Sequence, residues 1–309
     1  GKAIIKALEE QGKAGLVDSF VMVGTPQLGT PQAIGALLHG DDESIFGGLI
    51  VNPAVVRQIG QNMPGSYNLL PSQRYFDVVT DPVIVFDENA SFTEQWRNYW
   101  GVCMPGVYCL NNFLNYFAFL TGGNVVRVKP LPNDLRIPEI LNPDLLTSAA
   151  NLHQSLDSYV FPASIRVVQV AGWGRPTLKG IKYQNNHFLP SYRIIVTIEG
   201  DKTVVFPSAI SSISDDTLFF NLKHYQEVET GVQHRNLLDQ APVQNLVQSI
   251  VLENEILETA YISKIKPLIQ SVSDQLLDSS HSPVVLGEYD SLGNFTGVNQ
   301  NQDLSAEFL

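Results

Sequence analysis

Charge and cysteine are both scarce in this sequence. Of its 309 residues only 16% are charged and just two are cysteine, too few thiols for a disulfide framework or an all-cysteine zinc site. Basic residues are the minority, 19 against 31 acidic, for a net charge of −12. That balance argues against nucleic acid, and against an anionic membrane, as a purely electrostatic partner. No apolar run reaches the roughly 18–20 residues that a membrane-crossing helix requires. Absent as well are a His-Glu-x-x-His helix, a phosphate-cradling Gly-x-x-x-x-Gly-Lys, a dinucleotide Gly-x-Gly-x-x-Gly after a strand, and a Gly-x-Ser-x-Gly pentapeptide. No metal and no cofactor is expected. The chain opens on Gly1 and closes on Phe308-Leu309, and both ends read as cut, so that residues the activity needs are expected outside it.

What is present suffices for a large core, since 44% of the residues are hydrophobic. Ile4, Ala7, Leu8 and Gln11 share one face of a helix expected over Lys2 to Gln11, with Gly12 as its stop. A glycine-bounded apolar run follows, Gly15 to Gly24, as expected for a buried parallel strand. Helix and then buried strand is α/β grammar. Gly24-Thr25-Pro26-Gln27-Leu28-Gly29-Thr30-Pro31 then demands a tight loop at the strand's carboxyl end, where open α/β sheets bind ligands.

Asn62 to Ser72 reads as a loop with apolar anchors, followed by strand-like Arg74–Val79 and Val83–Phe86. Phe92 to Leu120 is the most aromatic stretch, and either core packing or a lid with an apolar underside produces that composition. Within it Cys103 and Cys109 are either a loop-closing disulfide or two free thiols. Pro130 to Leu156 reads as loop and short helices, Ser164–Gly172 as a second buried strand, and Gly180–Tyr183 with Tyr192–Ile198 as paired strands around an Asn-rich turn. Leu218–Asn221 is a short strand and Pro242–Val251 a helix, with helical text continuing from Glu253 to Leu277. A linker is expected at 278–283, with a hairpin around Tyr289–Asn294.

Two residues stand out chemically. His234 sits in Gly231-Val232-Gln233-His234-Arg235-Asn236-Leu237, just ahead of a helix, where α/β hydrolases carry their general base. Asp201 ends a strand in Gly200-Asp201-Lys202-Thr203-Val204, where Gly200 permits an unusual backbone angle and Thr203 can bond back to the carboxylate. An ordinary turn cap gives the same Asp, but acid before base is the hydrolase chain order. The serine should precede both. The helix at Lys2 suits the one that follows a nucleophile turn, which places that serine just upstream of Gly1.

These segments resemble, in order, the α/β-hydrolase family of lecithin:cholesterol acyltransferase with its phospholipase and acyltransferase relatives. The resemblance is carried by Asp18 to Pro26 with Gly29, Met63-Pro64 to Leu70-Pro71-Ser72, Val170-Ala171-Gly172 with Pro176-Thr177, Gly200 to Val204, and Gly231 to Leu237. It runs through about residues 1–251. It implies the C-terminal part of an α/β-hydrolase sheet: core at 1–75, an aromatic-rich cap insertion at 76–160, core with acid and base at 161–277, and a linker and β module at 278–309. It further implies that Asp201 orients His234, that His234 activates the upstream serine against a lipid ester, and that water or an alcohol resolves the acyl-enzyme. Trp96, Trp100, Phe117 and Leu120 would contact lipid beneath the cap, with peripheral contact to a membrane or lipid-particle surface and an extracellular or cell-surface location. Lys202 departs from the Gly or Asp usual at its position. Two alternatives stand beside this reading: a non-catalytic lipid- or surface-binding protein on the same fold, and an esterase of a non-lipid substrate.

Overall fold

A computed structural model describes residues 1–41, 52–123, 125, 127, 129–185, 189–214, 216–252, 255–256 and 258–268, with the backbone alone of 186, 287–289, 295–298 and 304–306. In chain order its elements begin α1 (Lys2–Glu10), β1 (Ser19–Val23), α2 (Gln32–His39), α3 (Pro53–Gly60), α4 (Pro64–Tyr67) and α5 (Gln73–Val78). Next come β2 (Ile84–Phe86), α6 (Glu94–Trp100), β3 (Val102–Met104), β4 (Val107–Leu110), α7 (Phe113–Thr121), α8 (Pro143–Leu156) and β5 (Arg166–Trp173). Then follow β6 (Thr177–Asn186), β7 (Leu189–Thr197), α9 (Phe206–Ala209), β8 (Asp216–Asn221), α10 (Leu222–Tyr225), α11 (Ala241–Val251) and β9 (Ile262–Ser263). Three short strands, β10 (Gly287–Tyr289), β11 (Phe295–Val298) and β12 (Leu304–Ala306), close the chain.

The chain divides into Gly1–Pro267 and Leu268–Leu309. In the first unit, β1, β5 and β8 run parallel and β9 joins the edge of β8 antiparallel. Val167, Val168, Val170 and Ala171 of β5 are all buried, as a central parallel strand covered on both faces requires. A second sheet, in the order β3-β4-β2-β6-β7, takes strands from before and after β5. The paired strands β6 and β7 are thereby joined to β2, whose other neighbour is β4. The fold is α/β.

Helices cover these sheets through apolar clusters. Ile34, Tyr75, Phe86, Trp96, Phe119 and Tyr183 centre the one beside the second sheet. Val168, Leu218 and Phe220 meet Val243, Leu246 and Ile250 of α11 in another, and Ile5 of α1 packs with Met22 and Phe161 in a third. Cys103 and Cys109 are disulfide-bonded across the β3–β4 hairpin, with their Cα atoms 5.4 Å apart.

Four expectations need correction. Arg74–Val79 is helical, because Ser72 accepts the Tyr75 amide as an N-cap and the first turn then buries Tyr75. Within 130–156 the last stretch is a single fourteen-residue helix, α8: Pro143 stands at its start, where a missing N–H costs nothing, and Asn142 caps it. The helical text after 253 does not continue helically through the described part of 255–268. Instead, the Thr259 hydroxyl accepts the amides of Tyr261 and Ile262, turning the chain so that Ile262 buries itself against β8; residues 269–277 lie outside the described set. Asn62 to Ser72, read as loop, includes the helical turn α4.

In the second unit β10, β11 and β12 form an antiparallel sheet, and Tyr289 pairs with Phe295 as a hairpin there requires. The tip at 290–294 and the linker at 278–283 lie outside the described residues.

Candidate active site

Glycine at the carboxyl end of β5 lets an acidic turn approach the sheet. A Cβ on Gly172 would stand 2.5 Å from Cβ of Asp201, closer than nonbonded carbons come. From β5 the chain crosses to Arg175, whose amide donates to the Gly200 carbonyl at 3.0 Å, and Arg175 and Asp201 form a parallel bridge. Thr177, fully buried, ties this corner together: its hydroxyl donates to the Arg175 carbonyl at 2.8 Å and accepts the Lys202 amide at 2.8 Å.

Asp201 is fully buried and spends both carboxylate oxygens. Oδ1 accepts the amides of Thr203 at 3.0 Å and Val204 at 2.7 Å. The backbone amide of Thr203, rather than its hydroxyl, thus makes the expected bond back. The unusual backbone angle falls two residues later than expected, on Lys202 at φ 86°. Gly200 serves close approach instead, since a Cβ there would lie 2.5 Å from the Thr177 hydroxyl. A left-handed lysine costs about 1–2 kcal/mol, of which the looser unfolded chain of a glycine variant returns about 0.5–1. Lys202→Gly is therefore expected to stabilise the protein by up to about 1 kcal/mol and Lys202→Val to destabilise it, as read from urea unfolding midpoints.

Oδ2 of Asp201 faces Nδ1 of His234 at 2.8 Å, and the His234 amide donates to the Asp201 carbonyl at 2.9 Å. One residue thus fixes both the ring and the backbone of the histidine. With its proton on Nδ1, the neutral ring leaves Nε2 as the basic nitrogen, and no hydrogen bond to Nε2 is found among the described residues. The His234 side chain is 28% exposed. Its loop is braced by Asn236, whose side chain accepts the Gln233 amide at 2.8 Å and donates to the Gly231 carbonyl. Burial by itself pushes the His234 imidazolium down, but the hydrogen bond and charge of Asp201 together outweigh it, and the net direction is up from an ordinary histidine.

The Gly-Thr-Pro loop after β1 closes over the same pair. Gly24, at φ 59°, would place a Cβ 2.8 Å from Oδ2 of Asp201 and 3.1 Å from Nδ1 of His234. Thr30 donates to the Thr203 carbonyl, and Ser208 bonds both the Leu28 amide and the Gly29 carbonyl. The Met63–Ser72 segment joins through Thr30 N to Leu69 O and Ser72 N to Leu28 O. Segments that the sequence showed as separate motifs are therefore one hydrogen-bonded assembly.

Sequence reading missed Gln169, in the centre of β5. It is buried and accepts from Gln27 at 2.9 Å while donating to Ser212 O and Thr217. A lone amide amid Val167, Val168 and Val170 was the available signal, since a buried amide must find partners. The four apolar candidates fall elsewhere. Trp96 and Leu120 are buried in the cluster beside the second sheet, with Trp100 and Phe117 packed partly buried against it; in this chain those side chains build core, and none joins the Asp201–His234 pair. Among the described residues no helix is long and apolar enough to cross a membrane, and no group of three or more His, Cys, Asp or Glu could hold a metal ion.

Comparison with known proteins adds three findings. No curated protein matches the chain. A solved structure, "The crystal structure of Tle4-Tli4 complex", is similar at 16% identity and a TM-score of 0.40, the match covering 67% of this chain and 48% of that one, so that the chain spans about half its length. The family model described as "Lecithin:cholesterol acyltransferase" matches residues 3–218, a range that takes in Asp201 and ends ahead of His234. With well over half its length matched, the chain belongs to the lecithin:cholesterol acyltransferase family.

Proposed function

We propose that the protein is a serine-dependent acyl hydrolase or O-acyltransferase of lipid esters, with Asp201 and His234 as acid and base and a serine outside these 309 residues as nucleophile. The observation that carries this reading is the 2.8 Å contact of His234 Nδ1 with a buried carboxylate whose other oxygen is held by two backbone amides. Nε2 of His234 takes the serine proton as the oxygen attacks the ester carbonyl. It then returns that proton to the departing alkoxide, leaving an acyl-serine. Water or an alcohol, deprotonated by the same nitrogen, releases the acyl group. Asp201 stabilises the imidazolium as it forms. Family membership supports the lipid ester as substrate, and the Cys103–Cys109 disulfide supports an oxidising, extracellular setting.

The test is release of fatty acid from phosphatidylcholine vesicles by the full-length protein, with and without a long-chain alcohol. Free acid or a new ester supports the reading and separates hydrolysis from transfer, and neither product overturns it. The pH profile follows from the raised His234 value. The base must be neutral, so kcat/KM falls on the acid side with a midpoint above that of an ordinary histidine. Asp201→Asn removes both raising causes and leaves burial, so the midpoint moves down. The linked stability has the corresponding sign: the ion pair stabilises the fold fully below the unfolded histidine value and loses that contribution as pH rises through the folded one.

A further inference from the structure

Two buried arginines beside the second sheet exceed the carboxylates that pair with them. Arg127 is 9% exposed, and its Nη2 donates to the carbonyls of Leu120 at 3.4 Å and Glu139 at 3.1 Å. Its Cζ lies 4.3 Å from the ring centre of Phe119 and 5.8 Å from that of Trp96. Among the described residues, Nε and Nη1 have no hydrogen-bond partner. Arg57, at 1% exposure, gives its donors to the carbonyls of Leu38, Leu131, Pro132 and Asp134. The carboxylate between them, Glu139, comes only to 3.9 Å from Arg57 and accepts the Ile140 amide. Two buried cations thus share one buried anion that hydrogen-bonds neither. Unpaired buried donors are costly, and burial pushes the Arg127 guanidinium down to about 10.

Arg127 stands in the wall of a cleft of about 620 Å³ together with Lys129, Ser91, Gln95 and Trp96. Glu94 and Asp134 also line it, Asp134 already bound by Arg136 at 3.1 Å and Glu94 exposed. A guanidinium edge, an ammonium at the rim and neutral hydroxyl and amide donors make a set suited to a tetrahedral anion with several acceptor oxygens. We propose that this cleft binds a phosphate group, Arg127 bonding it through Nε and Nη1 and Lys129 closing over it from the rim. Both Arg127 atoms are sealed from water, so binding includes a small opening of the wall between them and the cleft. The site shares no residue with the Asp201–His234 pair and stands whether or not that pair turns over esters.

Inorganic phosphate and the phosphodiester of a lipid headgroup offer the same chemistry, and titration calorimetry separates them. The full-length protein is titrated with sodium phosphate, with a monomeric short-chain phosphatidylglycerol, and with sodium chloride at matched ionic strength. Saturable binding of phosphate itself supports a free-anion site, and binding of the lipid alone supports a headgroup site. In either case Lys129→Gln and Arg127→Lys each weaken it by about tenfold. No saturable heat with either ligand overturns the proposal, as does unchanged affinity in Lys129→Gln. Should circular dichroism show that Arg127→Lys does not fold, the exposed Lys129→Gln decides by itself.

Discussion

Replacing His234 with alanine lowers lipid ester turnover by the full-length protein by about 10⁴-fold or more, while the thermal melt stays within a few degrees of the parent. The rate effect is large because one nitrogen moves the proton in both half-reactions. The stability effect is small because the ring is 28% exposed and its amide, which alanine keeps, still donates to the Asp201 carbonyl. Asp201→Asn follows with a loss approaching the same size, since an amide in place of Oδ2 can present its N–H to Nδ1 and hold the wrong tautomer. Its cost in folding is also modest, because the Oδ1 that asparagine keeps still accepts the Thr203 and Val204 amides. Steady-state kinetics beside a melt of each variant check both statements. Turnover retained by His234→Ala removes it from the mechanism.

The second large effect comes from adding one methyl group. Gly24→Ala drives a Cβ against Asp201 Oδ2 and Leu237, each at 2.8 Å, and against His234 Nδ1 at 3.1 Å. The left-handed backbone alone costs about 1–2 kcal/mol, and crowding adds about 1–3 more. Gly231 separates the two contributions: it too is left-handed, at φ 75°, but a Cβ there meets nothing within 4 Å. Gly231→Ala therefore shows the backbone cost without the crowding. The expected result is a larger loss of stability in Gly24→Ala, with activity reduced at temperatures where the variant is still folded, because relief requires the carboxylate and imidazole to move. Gly172→Ala acts on the same pair from behind, with its Cβ 2.5 Å from Cβ of Asp201. Equal melts and equal activity for the Gly24 and Gly231 variants contradict the packing described here.

These magnitudes bear on what sequence shows and what it hides. Asp201 and His234 were legible as candidates because each sits in a short loop whose chemistry is local: a Gly-Asp turn for one, a loop ahead of α11 for the other, in hydrolase order. β1, β5, β8 and α11 were legible because burial on both faces, or along one stripe, leaves a continuous or periodic apolar signal. Partnership between strands leaves no such mark. The alternation in β6 and β7 identifies strands but not their neighbours, and only the structure joins them to β2. α5 was hidden because β-branched and aromatic residues dominate Arg74–Val79, while one hydroxyl, on Ser72, begins the helix. β9 is two residues long and is made by a turn at Thr259. The aromatic stretch was ambiguous in principle, since a lid and a core have the same composition. Burial of Trp96 and Leu120 assigns these side chains to core, and the cleft beside Arg127 rests on donors that go unpaired, which no sequence pattern records.

The central claim is that Asp201 and His234 serve a nucleophilic serine. Labelling the folded, full-length protein with a fluorophosphonate, and locating the adduct by mass spectrometry, tests it most directly. The account predicts one modified serine, with labelling lost in His234→Ala. A folded protein that takes no label, or a label that persists undiminished in His234→Ala, contradicts it.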